Sequence, residues 1–149
     1  VTTNLNEVKN NLDSIISVIK KISENFFVYS FLPNTDPGCN YIIKKLVGNK
    51  NIQIVSNLDS SLFLELMKHS SFMIGNSSSG IREAPTFKIP YLCIGSRQNG
   101  RERSINVIDV NYSKSEILNK IQYIKEDNNF KKNRLRQSLF FQVLHLLVS

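Results

Sequence analysis

The segment GNSSSGIREAP, residues 75–85, holds the residue types best suited to binding chemistry. Three consecutive serines lie between two glycines, directly after an apolar run and directly before a helix-compatible segment. In open α/β sheets, ligands bind beyond the carboxyl ends of strands, where the next helix offers unpaired backbone N–H groups. Serine hydroxyls add donors and glycines add backbone freedom, so the segment predicts an anion site, above all for phosphate. The alternative that one serine merely caps the helix stays open, because neither glycine-rich phosphate motif is matched.

Glu83 makes this interpretation more specific, because a carboxylate in the first helical turn repels a phosphate unless it contacts another part of the ligand. A carboxylate accepts two hydrogen bonds from a vicinal diol such as that of ribose. A phosphate-binding turn beside such a carboxylate predicts a nucleotide site. The alternative is that Glu83 only stabilises the helix N-terminus, and the residues alone do not decide between the two.

Two further polar loops follow predicted strands. In GSRQNGR, residues 95–101, planar arginine cations such as Arg97 suit a diphosphate. For Arg103, just beyond, a solvated basic loop is the preferred interpretation. In PNTDPG, residues 33–38, Asn34 is placed to reach a base or a phosphate. Three polar loops at one edge of a sheet indicate a binding site more strongly than any single loop.

The elements that must position these loops alternate along the chain. Apolar residues at steps of three and four predict an amphipathic helix over residues 5–22, and Ser113 with Glu116 forms a capping box for a closing helix. Further helices are predicted at 40–47, at 62–67 and directly after the serines, and strands at 26–33, 52–55, 72–75, 90–95 and 105–110. Strands that are apolar on both faces and alternate with helices predict an α/β fold with a Rossmann-like parallel sheet covered by helices on both faces.

Composition excludes several other classes. The chain has 149 residues and a net charge of +7, to which one cluster near the C-terminus contributes four: Lys131, Lys132, Arg134 and Arg136. Without an aromatic-interleaved basic stripe, no nucleic-acid partner is expected. No membrane-spanning run or signal peptide occurs, so no membrane association is expected either. Cys39 and Cys93 lack metal-ligand spacing, which predicts reduced thiols, no metal and a cytoplasmic location.

The two ends of the chain do not fit the alternation of helices and strands. The sequence opens with VTTNLNEV, without an initiator methionine, and is therefore expected to be a fragment of a longer protein. Residues 127–149 are first polar and basic and then apolar, and no function is predicted for this tail. The predicted domain accordingly covers residues 1–126.

The block MIGNSSSGIREAPTFKIPYLCIGSRQNGR, residues 73–101, resembles the signature of the hydrolysing UDP-N-acetylglucosamine 2-epimerases. The opening VTT and the segment FLPNTDPGCNYII, residues 31–43, are also similar to that family, and the resemblance runs to about residue 126. It implies the C-terminal, UDP-binding half of a two-domain glycosyltransferase-B-like fold. It also implies a homo-oligomer when intact, no cofactor, and an N-terminal catalytic domain that this chain lacks.

The resemblance assigns six residues to the UDP site: Asn34, Leu58, Ser77, Ser78, Glu83 and Arg97. It implies that the two serines contact the diphosphate and that Glu83 contacts the ribose. The backbone at Leu58 would face the uracil, and Asn34 and Arg97 would line the same site.

The family reaction is implied to be loss of UDP by elimination across C1–C2 of the sugar, followed by addition of water to give N-acetylmannosamine for sialic or nonulosonic acid synthesis. The carboxylates that transfer protons belong to the first domain, so no catalytic residue is assigned here. His69, at a polar helix edge, and His145, in the tail, are not substitutes. The alternatives are a nucleotide-sugar-binding half of a glycosyltransferase, an anion-binding regulatory domain, or a non-functional truncated product, since the tail lacks the family's Tyr-Gly-x-Gly segment.

Overall fold

A computed structural model of the chain describes residues 5–32, 39–56 and 58–127, together with the backbone of residues 139–143. The helices within these ranges are α1 (Leu5–Ile22), α2 (Cys39–Leu46), α3 (Ser60–Lys68), α4 (Ser79–Arg82) and α5 (Lys114–Glu126), with a 3₁₀ helix at Ala84–Phe87. The strands are β1 (Phe27–Phe31), β2 (Ile52–Val55), β3 (Phe72–Gly75), β4 (Tyr91–Ile94), β5 (Val107–Val110) and β6 (Leu139–Val143).

All six strands belong to one parallel sheet, in the order β2-β1-β6-β3-β4-β5. This confirms the predicted α/β class with a Rossmann-like parallel sheet. The tail, for which the sequence predicted no role, supplies the strand between β1 and β3. The sheet therefore draws one strand from beyond residue 126, where the predicted domain ends.

Helices cover both faces of the sheet, because its strands are apolar on both sides. Every residue of β3 and β4 is buried. On one face, α1, α2 and α5 close over a core that includes Ile15, Ile42 and Ile117. On the other face, α3, α4 and the 3₁₀ helix cover a smaller core around Met67. This two-faced burial is what a parallel sheet requires.

Helix α1 follows the predicted apolar stripe from Leu12 onward, with six buried side chains between Leu12 and Ile22, whereas Leu5 at its start is exposed. The capping box of α5 forms only in part. Ser113 Oγ accepts a hydrogen bond from the Glu116 amide at 3.3 Å, as predicted. The Glu116 carboxylate, however, accepts from the amide of Asn111 at 3.3 Å and thus ties the loop after β5 to the helix.

Three strands are shorter than their predictions at 26–33, 90–95 and 105–110, and the start of the last one has a clear structural cause. The strand predicted from residue 105 begins at Val107, because Ile105 is fully exposed and Asn106 belongs to the preceding loop. The Asn106 amide donates to the carbonyls of Gly80 and Ile89, at 3.2 and 3.0 Å. Its side chain therefore fastens the loop to the segment around α4 before the strand starts.

Cys39 and Cys93 are both buried free thiols, in agreement with their predicted state. Within residues 5–32, 39–56 and 58–127, no helix combines the length and apolar character needed to cross a bilayer. In the same part of the chain, no group of three His, Cys, Asp or Glu side chains is arranged to hold a metal ion.

We expect Ile15→Ala to lower the free energy of unfolding by about 2–5 kcal/mol, because this side chain of α1 is buried in the core and its loss leaves a cavity. Urea denaturation monitored by circular dichroism measures the change. Ile105→Ala is the matched control, since the same side chain is fully exposed there and its removal should change stability by less than about 0.5 kcal/mol. Equal effects at the two positions would contradict the placement of α1 against the sheet.

Candidate functional site

The candidate site lies at the carboxyl ends of β3, β4 and β5, which are neighbours in the sheet. Two loops form most of it: the serine turn, residues 76–80, follows β3, and the arginine loop, residues 95–101, follows β4. Because parallel strands end at the same edge, residues far apart in sequence meet there. The predicted convergence of these two loops is confirmed by hydrogen bonds between them.

Within the serine turn, Ser77 is the capping residue. Its Oγ accepts a hydrogen bond from the Ser79 amide at 3.2 Å and lies 2.9 Å from Ser79 Oγ. Ser78 is the residue directly before α4, yet its side chain makes no capping bond. It is half-buried. The alternative that one serine caps the helix is thus confirmed for Ser77. The Ser78 hydroxyl makes no capping bond.

The helix after the serine turn is very short. Helix α4 makes a single turn and is followed by the 3₁₀ helix, which has Pro85 in its first turn. Few peptide dipoles align in so short an element, so its field on an anion is weak. An anion at this turn would depend on hydroxyl groups and arginine more than on the helix dipole.

Tyr91 supports the serine turn from inside the fold. Its hydroxyl donates to the Ser77 carbonyl at 2.8 Å, and burial raises its pKa, so the phenol keeps its proton. A Cβ atom at Gly80 would lie 2.2 Å from Tyr91 Cδ1. The expected role of Gly75 and Gly80 as sources of backbone freedom is wrong, because neither has a positive φ. Gly80 is instead required for space against the Tyr91 ring.

Asn76, at the start of the serine turn, is completely buried. Its carbonyl accepts hydrogen bonds from Gln98 Nε2 at 2.9 Å and from Arg97 Nη1 at 3.2 Å. These two bonds tie the arginine loop to the serine turn. The Arg97 side chain is otherwise exposed at the edge of the site and keeps further N–H donors in its guanidinium.

Arg103 does not belong to the site. It forms an ion pair with Asp109, with an Nε–Oδ2 distance of 2.9 Å, and its Nη1 donates to the Arg101 carbonyl at 2.7 Å. Only 20% of its side chain is exposed. The preferred interpretation of a solvated loop residue is therefore corrected: Arg103 fastens its loop to β5.

Glu83 lies at the end of α4 and not in its first turn. The alternative that it stabilises the N-terminus of that helix is therefore wrong, and it makes no side-chain capping bond to the 3₁₀ helix. Its Oε2 atom is buried and has no hydrogen-bond partner among the described residues. Burying an unpaired carboxylate oxygen is unfavourable, so the atom is suited to a donor from a ligand.

The remaining predicted positions are more distant or lie outside the described residues. Leu58 follows β2, is half-buried, and packs against the core that includes Met67 and Ile81. Strand β2 is three strand spacings from β3, about 14 Å. Asn34 and His145 lie outside the described residues. His69 directly follows α3, and its Nε2 lies 3.5 Å from Glu65 Oε2 on the exposed surface. This agrees with its predicted position at a polar helix edge.

Sequence reasoning missed three residues that hold the site: Asn76, Tyr91 and Gln98. The position of Asn76 directly after β3 was an available signal. For Tyr91 no sequence signal exists, because its hydroxyl acts on a carbonyl 14 positions away.

The chain is similar in sequence to known proteins. The sequence profile described as UDP-N-acetylglucosamine 2-epimerase matches residues 2–142, including part of the tail. A GDP/UDP-N,N'-diacetylbacillosamine 2-epimerase (hydrolyzing) of Campylobacter jejuni is 38% identical over 136 residues, 85% of this chain and 34% of that protein. A UDP-N,N'-diacetylbacillosamine 2-epimerase (hydrolyzing) of Legionella pneumophila is 35% identical over 121 residues, 79% of this chain and 32% of that protein.

A UDP-N-acetylglucosamine 2-epimerase of Neisseria meningitidis is 35% identical over 97 residues, 64% of this chain and 26% of that protein. The chain thus spans between a quarter and about a third of the length of these relatives. The profile match over nearly the whole chain, together with these identities, shows that the chain belongs to the UDP-N-acetylglucosamine 2-epimerase family.

Proposed function

We propose that the chain is the UDP-binding part of a hydrolysing UDP-N-acetylglucosamine 2-epimerase. The whole protein would release UDP and form N-acetylmannosamine, or a related sugar, for sialic or nonulosonic acid synthesis in the cytoplasm. The observation that carries the proposal is the buried carboxylate oxygen of Glu83, without a partner among the described residues, one helical turn from the serine turn. Two relatives with hydrolyzing 2-epimerase names support the reaction class. A polysialic acid biosynthesis protein of Escherichia coli, 34% identical over 132 residues, supports the link to sialic acid synthesis.

The diphosphate is assigned to the serine turn and the arginine loop. Ser78 is half-buried and its hydroxyl is not used for capping, and Ser77 lies beside it. Arg97 brings a permanent positive charge to the same edge while one of its nitrogens stays bound to the Asn76 carbonyl. Hydrogen bonds from a charged guanidinium to phosphate are among the stronger ones in proteins.

The ribose is assigned to Glu83. A carboxylate beside a diphosphate would repel it, so the ligand must place its neutral, donor-rich part at this position. The two ribose hydroxyls are such donors, and either can satisfy the buried Oε2 atom. The uracil would then extend towards Leu58, and Asn34 would complete the lining of the site.

The proton-transfer groups are assigned to the part of the longer relatives that this chain does not cover. The described residues near the serine turn include Glu83 as a carboxylate, and that group is committed to the ribose in this proposal. We therefore expect the chain alone to bind UDP without epimerising the sugar, and to work with a further domain in a homo-oligomer.

We expect UDP to raise the melting temperature of this chain, and AMP to leave it unchanged. A ligand present at about 100 times its dissociation constant adds about 2.7 kcal/mol to the stability of the folded state. Differential scanning fluorimetry with millimolar nucleotide measures the shift. An equal shift with AMP, or a cooperative melt that UDP does not move, would refute a uridine-specific site on this chain.

We expect Glu83→Gln to weaken UDP binding by about 1.5–3 kcal/mol, roughly 10- to 150-fold, because a neutral amide accepts weaker hydrogen bonds from ribose than a carboxylate. Because the buried Oε2 atom has no partner among the described residues, the substitution should not lower the melting temperature of the free chain. Isothermal titration calorimetry and thermal melts measure the two effects. Glu126→Gln, at an exposed position on α5, is the control, and parent-like affinity of the Glu83 variant would exclude the ribose contact.

We expect Ser78→Ala to weaken UDP binding by about 0.5–1.5 kcal/mol while leaving uridine binding unchanged, because uridine has no phosphate for this hydroxyl. Calorimetric titration with both ligands gives the comparison. Ser104→Ala, on an exposed loop, should change neither affinity. If the Ser78 variant bound UDP and uridine more weakly by the same factor, the assignment of Ser78 to the diphosphate would be wrong.

A further inference from the structure

Gln98 is a buried residue in an otherwise exposed part of the arginine loop. Its side chain is 4% exposed, whereas residues 96–97 and 99–100 on either side are exposed. Burying an amide is unfavourable unless its polar atoms are bonded. Here Nε2 donates to the Asn76 carbonyl, but Oε1 is buried without a partner in the part of the chain that the structure describes. An apolar side chain of similar size would avoid that unpaired atom, so stability alone does not account for a glutamine at this position.

The Nε2 atom of Gln98 shares its acceptor with the neighbouring arginine. A carbonyl oxygen has two lone pairs, and at Asn76 they are taken by Gln98 Nε2 at 2.9 Å and by Arg97 Nη1 at 3.2 Å. The bond from Gln98 is the shorter one and is buried, while that from Arg97 is only partly buried. Gln98 is therefore the firmer of the two links between the arginine loop and the serine turn.

The serine turn has further supports that do not involve the arginine loop. Tyr91, in β4, donates to the Ser77 carbonyl at 2.8 Å, and Asn106 donates to the Gly80 carbonyl at 3.2 Å. Loss of the Gln98 bond should therefore loosen the arginine loop and leave the serine turn in place.

Arg97 depends on this bond because its side chain is held at both ends. Its Cα atom lies about 3.8 Å from that of Gln98 along the chain, and its Nη1 atom is bonded to the carbonyl that Gln98 also binds. An exposed arginine that is not held in this way samples many rotamers, and ordering them on binding lowers affinity. Held in place, Arg97 presents its remaining N–H donors to an anion without that cost.

We propose that Gln98 is a positioning residue of the UDP site, which acts on the diphosphate through Arg97. This inference rests on the proposed function, in which Arg97 donates to the diphosphate. Gln98 itself does not touch the ligand, since its Nε2 is bonded to the Asn76 carbonyl and its Oε1 is an acceptor, which a phosphate would repel. Its bond fixes the arginine loop at the end of β3, so that the guanidinium is in place before the diphosphate arrives.

The test is Gln98→Met in the full 149-residue chain, because methionine has a similar size and no donor. The first readout needs no ligand: NMR order parameters of the Arg97 Nε–H group and of the Asn99 backbone amide. We expect both to fall towards the value of about 0.6 that marks flexible groups, with no change at the Ser79 amide in the serine turn. The melting temperature should fall by no more than about 4 °C, because removing the unpaired Oε1 offsets part of the lost bond.

The second readout is affinity, measured by calorimetric titration. We expect the dissociation constant for UDP to rise by about 3- to 10-fold, the scale of one neutral hydrogen bond, and that for uridine to stay the same. In an Arg97→Ala background, Gln98→Met should change the UDP dissociation constant by less than about 2-fold, since the residue through which Gln98 acts is then absent.

The matched control is Gln122→Met, at an exposed glutamine of α5 whose Nε2 donates to Glu126 at 3.0 Å. It removes one glutamine hydrogen bond far from the site in sequence and should match the parent in both readouts. Gln98→Leu, a second variant without a donor, should reproduce the results of Gln98→Met.

Parent-like order parameters at Arg97 and Asn99 in both Gln98 variants would overturn the inference. Equal weakening of UDP and uridine would also overturn it, because a general loss of the fold acts on both ligands. The same would follow if Gln98→Met weakened UDP binding by the same factor with and without Arg97. If the parent chain bound no UDP while the order parameters still fell in the variants, the proposed function would fail and the role of Gln98 in fixing Arg97 would stand.

Discussion

The hydrogen bonds that converge on the Asn76 carbonyl hold the candidate site together. A buried backbone acceptor must find donors, and at the end of β3 the chain leaves the sheet. The donors come from the next strand-end loop, through Gln98 and Arg97, so that loop has to fold back over the end of β3. The relative position of the serine turn and the arginine loop is thus a consequence of satisfying one carbonyl group.

The architecture was predictable from sequence to a large extent, because burial on both faces leaves a strong apolar pattern. Strands β2 and β3 were predicted at their observed residues, and α1 followed its stripe of buried positions. The start of β5 was not predictable, because it depends on Asn106 bonding to Gly80 and Ile89, which are distant in sequence. Local sequence patterns predict the interior of a helix or strand well. They predict its ends less well, because the ends depend on tertiary contacts.

The candidate site was predictable only in its residue types. The serines and Arg97 were identified from their position after strands, and they do lie at one edge. The position of Glu83 at the end of α4 was not foreseen, because the sequence does not show that the helix stops after a single turn before Pro85. Tyr91 looked like an apolar strand residue, although its hydroxyl fixes the Ser77 carbonyl. The polar atom of a mostly apolar side chain can bond to a group distant in sequence, and a local sequence pattern does not show that partner.

The central position of β6 has a consequence for how the molecule folds. Strands β2 and β1 pair with each other, and β3, β4 and β5 form a second ladder, but only β6 joins these two groups in the described sheet. Phe27 pairs with Leu139, more than one hundred positions away. The entropy cost of closing a loop grows with its length, and non-local pairing slows folding. Two partial sheets are therefore expected to form first and to become one only when residues 139–143 insert between them.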